Sequence, residues 1–173
     1  GSYATSYIPT YGVSQTRAQD NCFGAGDGST FNDSEGVLFI EAATLSELDI
    51  TARYFQLSDG TITANGITFR YYTTTNYFQA LYYTGGAYQA VLSVFLSDSS
   101  QFNKIAYKYK ANDFALWVNG VKIGTDTSGN TGAVLSNLNF NNNGYDGFEG
   151  KTKQLLYFNE ALSDSELATL TTL

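Results

Sequence analysis

The chain has 173 residues, a formal charge of −7, 14% charged residues and 16% aromatic ones, including 14 Tyr and 12 Phe. That is one domain's length, enough to bury roughly 70% of the surface the unfolded chain exposes, so a core needs no disulfide or metal. The excess of acids disfavours phosphate neutralisation and hence nucleic-acid binding, and the complete lack of His removes Ser-His-Asp and Cys-His nucleophiles, His-ligated zinc and histidine general bases together.

Tyr3 to Thr10, with Tyr3, Tyr7 and Pro9 among small residues, reads as an extended arm. Residues 1–12 are accordingly expected to be an arm or linker from a preceding module, and 13–173 a single domain. The abrupt Gly1-Ser2-Tyr3 start reads as the cut end of a longer protein. Cys22 is the lone cysteine, so no intrachain disulfide forms; beside Phe23 it is expected to be a small buried hydrophobe. Strands are expected at Gly36 to Ala43 and Ala52 to Leu57, the second closed by Ser58-Asp59-Gly60. Asn65-Gly66 predicts a two-residue type I′ hairpin between Thr61–Ala64 and Ile67–Tyr72. Gly85-Gly86 joins Tyr77–Tyr83 to Tyr88–Leu96. Ala111-Asn112-Asp113 and Asn119-Gly120 link Lys104–Lys110, Phe114–Val118 and Val121–Ile123. Leu135–Phe140 and Lys153–Phe158 are the last strands, around an Asn/Gly-rich loop at Asn139–Gly147. Turn signals every 8–12 residues are the pattern of an all-β sandwich or barrel. Ser163-Asp164-Ser165-Glu166 is a capping box, and Leu162, Leu167 and Leu170 follow at helical spacing, predicting one short helix from Asp164 to about Thr171. No stretch reaches the ~18 apolar residues of a membrane span.

Three segments carry a resemblance. Phe102-Asn103-Lys104-Ile105-Ala106-Tyr107-Lys108-Tyr109 is similar to the W-x-x-V-A-x-x-Y strand of laminin G-like, concanavalin A-like jelly rolls. Ala115-Leu116-Trp117-Val118-Asn119-Gly120-Val121-Lys122-Ile123 is similar to their L-Y-V-N-G hairpin. Phe148 to Asp164 resembles the F-x-G-x-I-D-E-V-x-I-Y-N-R-A-L-S-D segment that ends many such domains, with Lys153-Gln154 where the family commonly has Asp-Glu. Ala4 to Thr10, with Thr16-Arg17-Ala18, resembles a junction in bacteriophage tail and surface proteins. The resemblance implies an all-β, two-sheet antiparallel jelly-roll β-sandwich with one short C-terminal helix, located on a virion, outside the cell or on its surface. It also implies that one sheet's outer face is left concave and open.

Tyr71, Tyr72, Tyr77, Tyr82, Tyr83 and Tyr88 lie close together. Alternation places Tyr77, Gln79, Leu81 and Tyr83 on one face and Phe78, Ala80 and Tyr82 on the other. Tyr rings suit pyranose stacking, and the hydroxyls suit adaptable recognition; the same rings could simply fill a wide β surface. The candidate glycan site is Tyr77, Gln79 and Tyr83, with Tyr88 across the Gly85-Gly86 turn, and with Arg70 and Trp117. Trp117 is either a sugar platform or a packing residue. The resemblance also implies one structural Ca2+, for which Asp20, Asp27, Asp33, Asp59, Asp126 and Asp146 lie in turns. Two catalytic patterns are incomplete. Glu47 and Asp49 lack a third acid in register for a retaining glycosidase. Tyr77-Phe78-Gln79-Ala80 with Gly86-Ala87-Tyr88-Gln89 resembles an alginate-lyase strand but has Gln79 for its Lys and no His. The expected function is a non-catalytic carbohydrate-binding or adhesion module with a glycan partner, weak per site and made useful by several copies. The alternatives are a protein-interaction domain of a virion appendage and a glycan-cleaving enzyme.

Overall fold

A computed structural model describes residues 11–14, 24–45, 52–61, 64–72, 75–141 and 147–173. The arm at 1–10, Arg17, Asp20, Cys22, Glu47, Asp49 and Asp146 lie outside these, so the expectations resting on them stand as stated.

Ten strands and one helix form among the described residues: β1 (Glu35–Thr44), β2 (Ala52–Ser58), β3 (Gly66–Tyr72), β4 (Tyr77–Thr84), β5 (Ala87–Phe95), β6 (Asn103–Lys110), β7 (Phe114–Val118), β8 (Val121–Asp126), β9 (Asn137–Asn139), β10 (Gly150–Phe158) and α1 (Asp164–Thr171). They make two five-stranded sheets, β10-β1-β6-β7-β8 and β5-β4-β3-β2-β9, with antiparallel pairing throughout. The chain changes sheet after β1, β5, β8 and β9, which is the crossing pattern of a jelly roll. Gly85 and Gly86, at φ +58° and +78°, make the tight β4–β5 turn that the sequence predicts.

Alternation fills the space between the sheets with rings. Phe55, Phe69, Tyr71, Phe78, Tyr82, Tyr107, Tyr109 and Phe114 are all 0–1% exposed, each side chain contributing about 1.5–3 kcal/mol of burial. The Tyr block therefore splits: Tyr71 and Tyr82 are core. Among the described residues the hydroxyls of Tyr71 and Tyr107 are buried without a hydrogen-bond partner, whereas those of Tyr82 and Tyr109 find polar partners. The Tyr109 hydroxyl meets that of Tyr157 at 2.8 Å, and Tyr82 accepts from the Gly132 and Ala133 amides at 3.2 and 3.1 Å.

Two local expectations are corrected. Ser58 pairs with Gly66, so Asn65-Gly66 is not a two-residue hairpin turn, and Thr61 and Ala64 lie in the loop joining β2 to β3. Asn65 instead holds two loops together. Its amide donates to Asp59 at 2.8 Å, and its carbonyl oxygen accepts from Thr84 Oγ1 at 3.1 Å and from the Gly85 amide at 2.9 Å. Gly66, at φ +153°, could not carry a Cβ, which would lie 2.5 Å from the Leu57 carbonyl oxygen. Leu135–Phe140 shortens to the three residues of β9.

α1 forms where the capping box places it. Glu166 Oε2 accepts from the Ser163 amide at 2.8 Å, and Ser163 Oγ from the Glu166 amide at 3.4 Å. Leu167, 0% exposed, packs with Val37, Phe39, Ala106, Ala115 and Trp117 on the outer face of β10-β1-β6-β7-β8. Lys122 donates to Asp164 at 2.8 Å and Lys104 to the Thr172 carbonyl at 2.6 Å; a cation at each of these positions ties both helix ends to the sheet, the second complementing the helix dipole.

Candidate functional site

The outer face of the other sheet is built from the residues that alternate away from the core. Register lays four rows across β5, β4, β3 and β2: Phe95–Tyr77–Tyr72–Ala52, Ser93–Gln79–Arg70–Tyr54, Val91–Leu81–Thr68–Gln56 and Tyr88–Tyr83–Gly66–Ser58. Tyr77, Gln79, Leu81 and Tyr83 thus share this face, as alternation requires.

Exposure is uneven over it. Gln56, Ser58, Thr68, Leu81 and Tyr83 are buried, whereas Phe95 is 72% exposed and Tyr72, Tyr77, Gln79 and Arg70 are half-buried. On the edge strand β5, Val91 and Tyr88 are exposed as well, by 43% and 65%; across β3 and β4 the open part is the first two rows. Phe95 and Tyr77 have ring centroids 4.9 Å apart, and Tyr77 and Tyr72 5.8 Å apart, so three rings on neighbouring strands make one ledge. Gln79 donates to the Tyr77 hydroxyl at 3.3 Å; Arg70 donates to that of Tyr72 at 3.1 Å, its guanidinium carbon 5.7 Å from the ring centre. Arg70 Nε is buried without a hydrogen-bond partner. Among the described residues Arg70 pairs with no carboxylate, although Arg53, Lys108, Lys110, Lys122 and Lys153 all do. No Asp or Glu stands in the four rows.

The six residues singled out by sequence fall into three groups. Tyr77, Gln79 and Arg70 converge at the ledge. Tyr83 and Tyr88 face each other across the hairpin, with centroids 6.1 Å apart, but at the far end of the strands. Tyr83 is 5% exposed, its hydroxyl accepting from Gln56 at 2.5 Å and sharing a hydrogen bond with Thr68 at 2.9 Å. Burial raises its pKa, and those two bonds only partly offset this. Trp117 is on the opposite sheet, 7% exposed beneath α1; it is a packing residue and cannot join the ledge. Phe95 and Tyr72 complete the ledge, although neither is among those six. Counting outward from Gly85-Gly86 sets Val94 opposite Tyr77; a register shift between Tyr82 and Tyr83 brings Phe95 there instead and gives Val91, Ser93 and Phe95 the face of the ledge, and no turn or pattern signal in the sequence marks that shift.

The turn aspartates also have another use. In Asp27-Gly28-Ser29, Asp59-Gly60-Thr61, Asp98-Ser99-Ser100 and Asp126-Thr127-Ser128, the Asp Oδ1 accepts from the amide two residues on at 2.8–2.9 Å and from that residue's hydroxyl. This is the Asx-turn geometry that makes such residues turn formers. The Ser29 hydroxyl bond is the main cause of a lowered Asp27 pKa, and the Ser100 hydroxyl bond of a lowered Asp98 pKa. Asp33 accepts from the Leu135 amide at 2.8 Å. Among the described residues no three His, Cys, Asp or Glu come together.

No family model matches the chain, and no curated protein matches it by sequence. Solved structures do match in shape. The CBM40 of Ruminococcus gnavus IT-sialidase bound to α2,3 sialyllactose is 17% identical, with a TM-score of 0.66 over 90% of this chain and 97% of that one. Domain 4 of AbnA, a GH43 extracellular arabinanase from Geobacillus stearothermophilus in complex with arabinotriose, is 16% identical, with a TM-score of 0.60 over 85% and 70%. A heptameric SAP-like pentraxin from Limulus polyphemus is 10% identical, with a TM-score of 0.64 over 92% and 78%. At these identities the likeness speaks for architecture, and the chain has the concanavalin A-like jelly-roll fold.

Proposed function

We propose that this chain is a non-catalytic carbohydrate-binding module whose site is the Tyr72–Tyr77–Phe95 ledge. The carrying observation is that ledge itself: three adjoining rings, one 72% exposed, on a sheet face bordered by an amide and an ion-pair-free guanidinium. Sugar C–H faces stack on such rings, while Gln79, Ser93 and Arg70 orient the hydroxyls. The lack of a carboxylate in the four rows supports binding over hydrolysis, because glycoside cleavage uses a pair of them. Solved structures of this fold that hold sialyllactose or arabinotriose support a glycan as the ligand. Arg70 favours an acidic sugar: it is a local cation in a chain of net charge −7, which otherwise repels anions. Affinity is expected on the order of 0.1–1 mM per site, about 4–5 kcal/mol, since few groups converge.

A glycan array followed by calorimetric titration tests this. The expected result is binding to acidic and neutral glycans that is weakened by Tyr77→Ala and Phe95→Ala, with Arg70→Gln affecting the acidic ligands alone. Binding unchanged in both ring variants moves the ligand elsewhere. No glycan binding at all overturns the reading in favour of a protein-interaction domain.

A further inference from the structure

The four sheet edges are not alike. β10 carries Lys151 and Lys153 and a register shift against β1. β8 carries Lys122 and Asp126 and a shift against β7. β9 is three residues long, and its Leu138 is bridged to Ala25. Short strands, lysines and bulges are how sheets prevent edge-to-edge pairing. β5, which borders the second sheet, is the exception: Ala87-Tyr88-Gln89-Ala90-Val91-Leu92-Ser93-Val94-Phe95 is nine residues long without a charge, and its one register shift against β4 falls at Gln89, leaving Ala90–Phe95 regular.

The phase of its backbone is settled by one bond. The Leu96 amide donates to the Asn76 carbonyl at 2.8 Å, so Leu96, and by alternation Val94 and Leu92, turn their N–H and C=O groups toward β4. Val91, Ser93 and Phe95 turn theirs to the open edge. At Gln89, the next in that series, the edge is already taken. Gly129 lies so close that a Cβ there would be 2.6 Å from the Gln89 carbonyl oxygen, and the Asn130 amide donates to Gln89 Oε1 at 3.1 Å. Among the described residues the free segment is therefore Val91–Phe95. Its outward side chains are exposed as well, Val91 by 43% and Phe95 by 72%.

We infer that this edge pairs with a second copy of the chain. Two β5 strands run antiparallel about a two-fold axis at Ser93, joining two five-stranded sheets into one. Val91 then faces the partner's Phe95, Ser93 faces the partner's Ser93, and about six backbone hydrogen bonds form. A second copy is the occupant because the segment is its own complement. Each apolar side chain meets an apolar one, and in a chain of charge −7 this strand brings no acid against its copy. The axis is normal to the sheet, so both outer faces point the same way, with Phe95 and the partner's Phe95 roughly 14 Å apart. If the ledge binds glycan, the dimer offers one polysaccharide two sites and gains by effective concentration; the pairing itself does not depend on that reading.

Sedimentation equilibrium over a concentration series tests it, without any glycan. Wild type is expected to associate reversibly to a dimer. Ser93→Lys places like charges opposite each other on an exposed position and is expected to weaken the dimer at least about tenfold, while leaving the circular dichroism unchanged and removing the concentration dependence of the melting temperature that a dimer imposes. Ser93→Cys is expected to cross-link on mild oxidation, since directly opposed residues have Cα atoms about 5.5 Å apart, within disulfide range; wild type, with Cys22 alone, serves as the control. A wild type that stays monomeric at every concentration overturns the inference and leaves the edge to a strand of another protein. A dimer indifferent to Ser93→Lys, with no Ser93→Cys cross-link, places the interface elsewhere and overturns it equally.

Discussion

On the outer face of β10-β1-β6-β7-β8, Trp117 lies 7% exposed under α1; on the outer face of β5-β4-β3-β2-β9, Phe95 lies 72% exposed beside Tyr77. Both rings alternate away from the central core, and strand periodicity cannot tell them apart. The difference is a third layer. Eight residues of helix, capped by Ser163 and tied by Lys122 and Lys104, turn one outer face into a second small core, whereas the two outermost rows of the other stay open. An aromatic ring on a sheet is thus a structural or a recognition residue according to what packs over it, and that is decided by chain outside the strand.

Trp117→Ala breaks the covered face and is expected to have the largest effect, about 3–5 kcal/mol of stability. Thermal or urea melting measures this, and glycan titration of the folded fraction should be unchanged. Next is alkaline pH. Tyr71, Tyr82, Tyr83, Tyr107 and Tyr109 have pKa values raised chiefly by burial. Folding therefore favours their neutral forms: the stabilisation is full below the unfolded tyrosine value of about 10 and is lost as pH rises beyond it. Denaturant titrations should show stability falling steeply above that pH. With no His in the chain, no histidine step is expected between pH 5 and 8. A pronounced neutral transition or a flat alkaline limb would contradict this account of the core.

Ser163→Ala removes the helix cap and is expected to cost about 1 kcal/mol, loosening the covered face alone. Hydrogen exchange should show faster amides in 164–171 and no change in β3–β5. Acid should act on the same place. The Ser163 hydroxyl bond lowers the Glu166 pKa, and Lys122 lowers that of Asp164. Their contribution is present above the ordinary carboxylate value of about 4 and fades as pH falls below it. Phe95→Ala should be the mildest for folding, within about 0.5 kcal/mol, yet should weaken glycan binding by about 1–1.5 kcal/mol, roughly tenfold. That reversal between stability and binding, relative to Trp117→Ala, is the sharpest form of the contrast.

The local devices were legible in the residues themselves. Gly85-Gly86 makes a tight turn because glycine reaches positive φ without strain. Ser163 with Glu166 starts a helix because each satisfies the other's free amide. Alternation placed Tyr77, Gln79, Leu81 and Tyr83 on one face because strand geometry has period two. The D-x-S/T turns were also present in the sequence. Asp27, Asp59 and Asp126 read equally as calcium candidates there, because a carboxylate held by its own turn and one offered to a metal have the same sequence neighbours.

What the tertiary structure decided is everything that depends on partners far along the chain. Asn65-Gly66 carries a hairpin signal, yet Asn65 bonds to Asp59 and to Thr84 and Gly85, which outweigh a local turn. Tyr83 and Tyr77 share a face and differ in exposure because Gln56 and Thr68 from neighbouring strands meet one hydroxyl and not the other. Phe95 reaches Tyr77 only through the β4–β5 register. Turn chemistry, capping and alternation act over a few residues and can be read in sequence order. Burial is set by layers that meet only when the chain has folded, so the fold could be anticipated while the open ledge had to be found.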